Sequence, residues 1–147
     1  MKFASLLVAP VALALMASPA FAAGTKAWGP YSKAGVSAAG TLTASGEDHE
    51  VLPTADTVKI KGKVTDRSRG SNCGWLLLRI THREGNNLPF FDRSVISCTY
   101  GTPKSFTRTY HDVYQVEFKV CSAPKASKPS LTCYYSGSWK VGYLSPH

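Results

Sequence analysis

Three lysines at alternate positions, Lys59, Lys61 and Lys63, are the residues whose type and spacing point most directly to chemistry. Alternate side chains of an extended strand stand on one face about 6.6 Å apart, close to the charge spacing of a polyanion. Such a stripe suits nucleic acid, teichoic acid or an acidic polysaccharide, and it is also what an exposed strand uses to stay solvated and resist edge-to-edge pairing, the more ordinary role of such lysines. Arg67, Arg69, Arg79 and Arg83 extend the patch only if the fold brings them to it. A second set is aromatic. Trp28, Tyr135, Trp139 and Tyr143 lie near the chain ends, and exposed in one plane they would form a platform for sugar rings or bases. The alternative for these rings is a second hydrophobic mini-core where the N-terminal arm meets the last hairpin.

Catalytic chemistry has thinner support. The chain has four histidines, His49, His82, His111 and His147, but no His-Glu-x-x-His, Gly-x-Ser-x-Gly or P-loop motif. His82 or His111 with Glu84 or Glu117 and an arginine would supply the base, acid and cation of a small secreted toxin-like ribonuclease. Glu47-Asp48-His49-Glu50 lacks the oxygen spacing of a calcium loop and reads as a solvated turn. No metal or cofactor is expected. An extracellular protease inhibitor would need a rigid loop such as Ser122 to Lys125 or Arg83-Glu84.

These residues must be positioned by a chain of 147 residues, too short for a Rossmann enzyme or a TIM barrel. With 44% hydrophobic and 18% charged residues it has the balance of one globular domain, and its formal charge of +8 attracts anionic partners. Residues 1–22 read as a secretory signal: Met1-Lys2, an apolar stretch from Phe3 to Met16, and Ala20-Phe21-Ala22 before a cleavage point. The stretch is shorter than the roughly 20 residues of a spanning helix, so no transmembrane anchor is expected. Cleavage after Ala22 removes Lys2 and no acidic residue, so the exported chain stays basic. Export makes chromosomal DNA an unsuitable partner. It also makes Cys73, Cys98, Cys121 and Cys133, which contain no Cys-x-x-Cys pair, a disulfide framework and not a zinc site. Of three connectivities, neighbour pairing of Cys73 with Cys98 and Cys121 with Cys133 is favoured, because each pair brackets a hairpin or adjacent-strand excursion.

Residues 23–40 are rich in Ala, Gly and Ser and read as an irregular N-terminal arm, leaving 41–147 as one domain. Within it, Val58, Ile60 and Val64 oppose the three lysines along a half-buried strand. Gly74 to Thr81 carries large apolar groups on both parities and predicts a central strand buried on both faces near its start. Further strands are expected over Thr41–Ala44, Arg93–Cys98, Ser105–Tyr110 and Val113–Cys121, with a last hairpin of Leu131–Tyr135 and Trp139–Leu144. About seven short strands and two disulfides predict an all-β, antiparallel β-sandwich, immunoglobulin-like or jelly-roll-like, with a small β-barrel as the alternative.

The pattern Val58 to Asp66, Cys73, Cys98-Thr99-Tyr100-Gly101, the alternating strand into Cys121, and Cys133 resembles small exported four-cysteine β-sandwich proteins of actinobacteria. The resemblance spans the last two-thirds of the exported chain. It implies the fold and the compartment and transfers no catalytic or binding residue. The expectation is a secreted, monomeric, non-enzymatic protein that binds an anionic or carbohydrate polymer, or an extracellular protein.

Overall fold

The computed structural model describes residues 24–147, so the signal segment 1–22 lies outside the described residues. Seven antiparallel strands run β1 (Thr25–Lys33), β2 (Val36–Glu47), β3 (Ala55–Asp66), β4 (Asn72–His82), β5 (Phe90–Ser97), β6 (Lys104–Pro124) and β7 (Lys140–Leu144). A single helical turn, α1 (Leu131–Tyr135), precedes β7. All strands belong to one hydrogen-bonded sheet of order β1-β2-β3-β6-β4-β5, with β7 also on β6. The long strand β6 is the hinge of the architecture: Lys104–Val113 pairs with β3, and Val113–Pro124 pairs with β4. The sheet thus folds over β6 into two leaves. The first is β1-β2-β3 with the start of β6, the second is the end of β6 with β4, β5 and β7. The sheet does not close into a barrel, because β1 and β5 remain its ends.

The two leaves bury one core, with Val36, Leu42, Val58 and Ile60 from the first against Leu76, Leu78, Val116 and Phe118 from the second. Its centre is an aromatic stack. Trp28 lies on Phe118 with ring centroids 4.3 Å apart and planes 9° from parallel. Glycines bracket the pair: a Cβ at Gly62 of β3 would strike the Trp28 ring, and one at Gly142 of β7 would strike Phe118. Two rings fill the roughly 10 Å between packed leaves only where the strands beyond them carry no side chain. The Trp28 indole N–H donates to the carbonyls of Thr41 and Lys61, so its polar edge is satisfied in the core.

Three expectations are corrected. Residues 23–40 are not an irregular arm: from Thr25 onward they form β1 and the start of β2, joined by Ala34-Gly35, both at positive φ (51° and 83°), the geometry of a two-residue hairpin turn. The strand expected over Thr41–Ala44 is accordingly the middle of β2. The expected strands Ser105–Tyr110 and Val113–Cys121 are one, because Asp112 at φ 53° bends the chain without ending it. Leu131–Tyr135 is a helical turn and not half of a hairpin, capped by Ser130, whose side chain accepts from the Cys133 amide. The expected disulfides, Cys73–Cys98 and Cys121–Cys133, are both present.

Candidate functional site

The outer face of the first leaf follows from the register. Lys59 stands between Thr43 and Thr109, Lys61 between Thr41 and Thr107, and Lys63 between Ala39 and Ser105. One step further, Thr57 stands between Ser45 and His111. The lysines are exposed while Val58, Ile60 and Val64 are fully buried, as alternation requires. Along the lysine stretch, from Ala39 to Ser45 on β2, Thr57 to Lys63 on β3 and Ser105 to His111 on β6, every outward position is lysine, alanine, histidine or hydroxyl-bearing; a carboxylate enters the register only past it, at Glu47 opposite Ala55, and accepts from the Tyr143 hydroxyl. A shallow depression of about 380 Å³ lies there, lined by Thr41, Lys61, Lys63, Ser105 and Thr107 among others. The result is a row of ammonium groups flanked by hydroxyls on both sides at Lys59 and Lys61 and on one side at Lys63, which can donate to an oxyanion or a sugar oxygen.

The arginines do not extend this row as one patch. Arg79 is on the outer face of the second leaf, bonded to both oxygens of Asp92 at 2.9 and 3.0 Å. Arg83 is held by Asp48 at 2.7 Å and by the Leu52 carbonyl at 2.7 Å, so it organises the loop after β2. In that loop Asp48 also accepts from the amides of Thr54 and Glu50. The Thr54 amide above all, with Arg83 contributing, lowers the Asp48 pKa to about 2. The Glu47–Glu50 segment is therefore a built turn. Arg67 and Arg69 lie just beyond β3, beside the β1–β2 turn.

The aromatic platform is a correction. Trp28 is 2% exposed and Tyr143 4%, both in the central core. Tyr143 faces inward from β7, donates its hydroxyl to Glu47 at 2.9 Å, and is pushed to about 12 chiefly by burial. Trp139 is half-buried, with Arg79 4.2 Å and Lys119 5.1 Å from its ring centroid. Tyr135 alone is open, at 84%. The four rings therefore share no plane. The mini-core exists elsewhere than expected: Trp75, Leu77 and Ala123 on the outer face of the second leaf are buried together with Cys133 of α1, with Tyr134 and Trp139 packed against them. It is the reason Trp75–Leu78 is apolar on both parities.

The ribonuclease parts are dispersed. His111 lies on the lysine face, its Nδ1 3.3 Å from the Asp56 carbonyl. His82 packs against Phe91 with its Nε2 3.8 Å from Glu84. Glu117 is paired in register with Arg79 on the second leaf. Among the described residues, His, Cys, Asp and Glu side chains do not gather in threes around a point that could hold a metal.

Alternation with Val116, Phe118 and Val120 puts Lys119 on the outer parity of its strand, where solvent is expected, yet it is only 4% exposed. Its ammonium donates to the Tyr134 carbonyl at 2.8 Å, and burial first, then Lys33 and Arg79, lowers its pKa. Alternation gave its face correctly, but only the position of α1 and the following turn reveals that this face is covered. Compared with known protein families, curated proteins and solved structures, the chain matches none.

Proposed function

We propose that the protein is secreted and acts by binding, holding an extracellular anionic polymer along Lys59, Lys61 and Lys63. The observation that carries this reading is the carboxylate-free stretch from Ala39 to Ser45, Thr57 to Lys63 and Ser105 to His111, on which each lysine has a hydroxyl or alanine on either side. An exposed strand that needs only solubility is usually served by mixed charges, whereas a single sign of charge with hydroxyl donors complements a repeating anion. Two disulfides support action outside the cell.

Heparin affinity measured against salt tests the proposal. If three anionic groups are engaged, log K falls with log salt at a slope of about −2, roughly a twentyfold loss between 50 and 200 mM. Replacing all three lysines with glutamine should abolish retention while leaving the circular dichroism spectrum unchanged. Retention that is independent of salt, or that survives the triple substitution, would sink it.

A further inference from the structure

A second basic feature lies away from the lysine face, where β6 loses a neighbour. β7 pairs with β6 only from Gln115 to Phe118, so from Lys119 onward β6 has β4 on one side and no strand on the other. The β1–β2 hairpin and the turn before β7 approach this open side and leave a groove of about 420 Å³ between them. Lys33, Lys119 and Lys140 line it, with the hydroxyl-bearing Tyr31, Ser32 and Ser138. A smaller hollow of about 170 Å³ shares Lys33 and Val120 with it, and a third shares Ala34 and Ser122 with that one and is walled by Arg67 and Arg69. No carboxylate lines any of the three.

The groove is built and not merely a gap between exposed lysines. Gly137, at φ 79°, stands where a Cβ would be 2.8 Å from the Lys33 ammonium and 3.8 Å from Cε of Lys119, so two lysine arms close on one point. Lys119 is buried there with a carbonyl as its hydrogen-bond partner and a tryptophan ring beside it. The nearby charges that act on it, Lys33 and Arg79, are both positive. Burying an ammonium beside other cations without a carboxylate is unfavourable in the free protein, and a bound anion would remove that penalty.

We infer that this groove is an oxyanion site, taking a phosphate-ester group between Lys33, Lys119 and Lys140, with Ser138 and Ser32 as hydroxyl donors. Three ammonium groups around one pocket are enough to neutralise the charge of about −2 on a phosphomonoester, and lysine serves phosphate as a point charge without the planar demand of arginine. Arg67 and Arg69 at the far end would receive the next anionic group of an extended ligand. The site stands whether or not the lysine face holds a polymer.

Pyrophosphate, titrated calorimetrically at constant ionic strength, is the probe, with sulfate and chloride as separate arms. Pyrophosphate should bind and raise the melting temperature. Sulfate acting equally well would mark a general oxyanion site and overturn the phosphate assignment; chloride acting equally well would overturn the site altogether. Substituting the two exposed lysines, Lys33→Gln with Lys140→Gln, should weaken pyrophosphate by at least about tenfold, as expected for charge-assisted contacts. The triple substitution of Lys59, Lys61 and Lys63 should leave it within about twofold. The reverse ranking would refute the inference and assign anion binding to the lysine face alone. Lys119→Met should melt no lower than the parent without ligand and lose the pyrophosphate response; a Lys119→Met protein that keeps that response would equally refute it.

Discussion

The two outer faces of the folded sheet obey the same alternation and end differently. On the first leaf the outward residues of β3 are three lysines among threonines, open to solvent. On the second, the outward residues of β4 begin as Trp75 and Leu77 and are sealed by α1, which Cys121–Cys133 ties down. Further along the same face, Arg79 is clasped by Asp92 and lies between the rings of Phe90 and Trp139. A sheet face is therefore committed to solvent or to packing by the residues of its central strand, and the covering segment need be only one helical turn if it is cross-linked. The open face is left for charge, and the cap creates the groove at its border.

The contrast breaks most severely at Trp75. Trp75→Ala should cost about 3–5 kcal/mol in urea unfolding, because it empties the space beneath the cap. Lys61→Gln on the open face should stay within about 0.5 kcal/mol of the parent. Equal effects would mean that the capped face is no part of the core. Next comes the cross-link. Replacing Cys121 and Cys133 with serine should cost about 3 kcal/mol on the chain-entropy model. Hydrogen exchange should rise over α1 and the turn before β7 and remain slow in β2 and β3, and a uniform rise over both leaves would contradict a separately tethered cap.

The smallest effect is local and depends on pH. The folded-state pKa of Asp48 is below its ordinary value of 3.8, so its contribution is present above that value and is lost as pH falls toward about 2. Over that window the Thr54 amide resonance should shift with the Asp48 carboxyl while resonances of the capped face stay fixed. Titration of Asp48 near 3.8 would show that the loop at the end of the lysine face is not held by this carboxylate.

Much of this was legible in particular residues. The Val58, Ile60 and Val64 alternation gave β3 with its inward and outward faces, and the doubled apolar parity of Trp75–Leu78 gave a strand packed on both sides near its start. β2 showed only as the short strand Thr41–Ala44 because its inward positions include Ala38, Gly40 and Ala44, too small to register as a hydrophobic alternation. The small residues are themselves the signal: Gly40 and Gly62 are paired across β2 and β3, where the Trp28 ring lies against the sheet. Trp28 and Tyr143 looked like surface rings because they sit near the chain ends, and sequence position says nothing of depth. The helical turn α1 was too short to show a period.

By itself the sequence determined what is local: extended segments with a period of two, neighbouring cysteines able to pair across short excursions, and three lysines sharing one face. Only the tertiary structure decided which faces are covered and which side chains from distant segments meet. Lys33, Lys119 and Lys140 belong to three separate strands and converge because β6 outruns β7 and the β1–β2 hairpin reaches that gap. Alternation fixes the direction of a side chain within its own strand. Burial and charge environment depend on what packs above it, and that is a property of the whole fold.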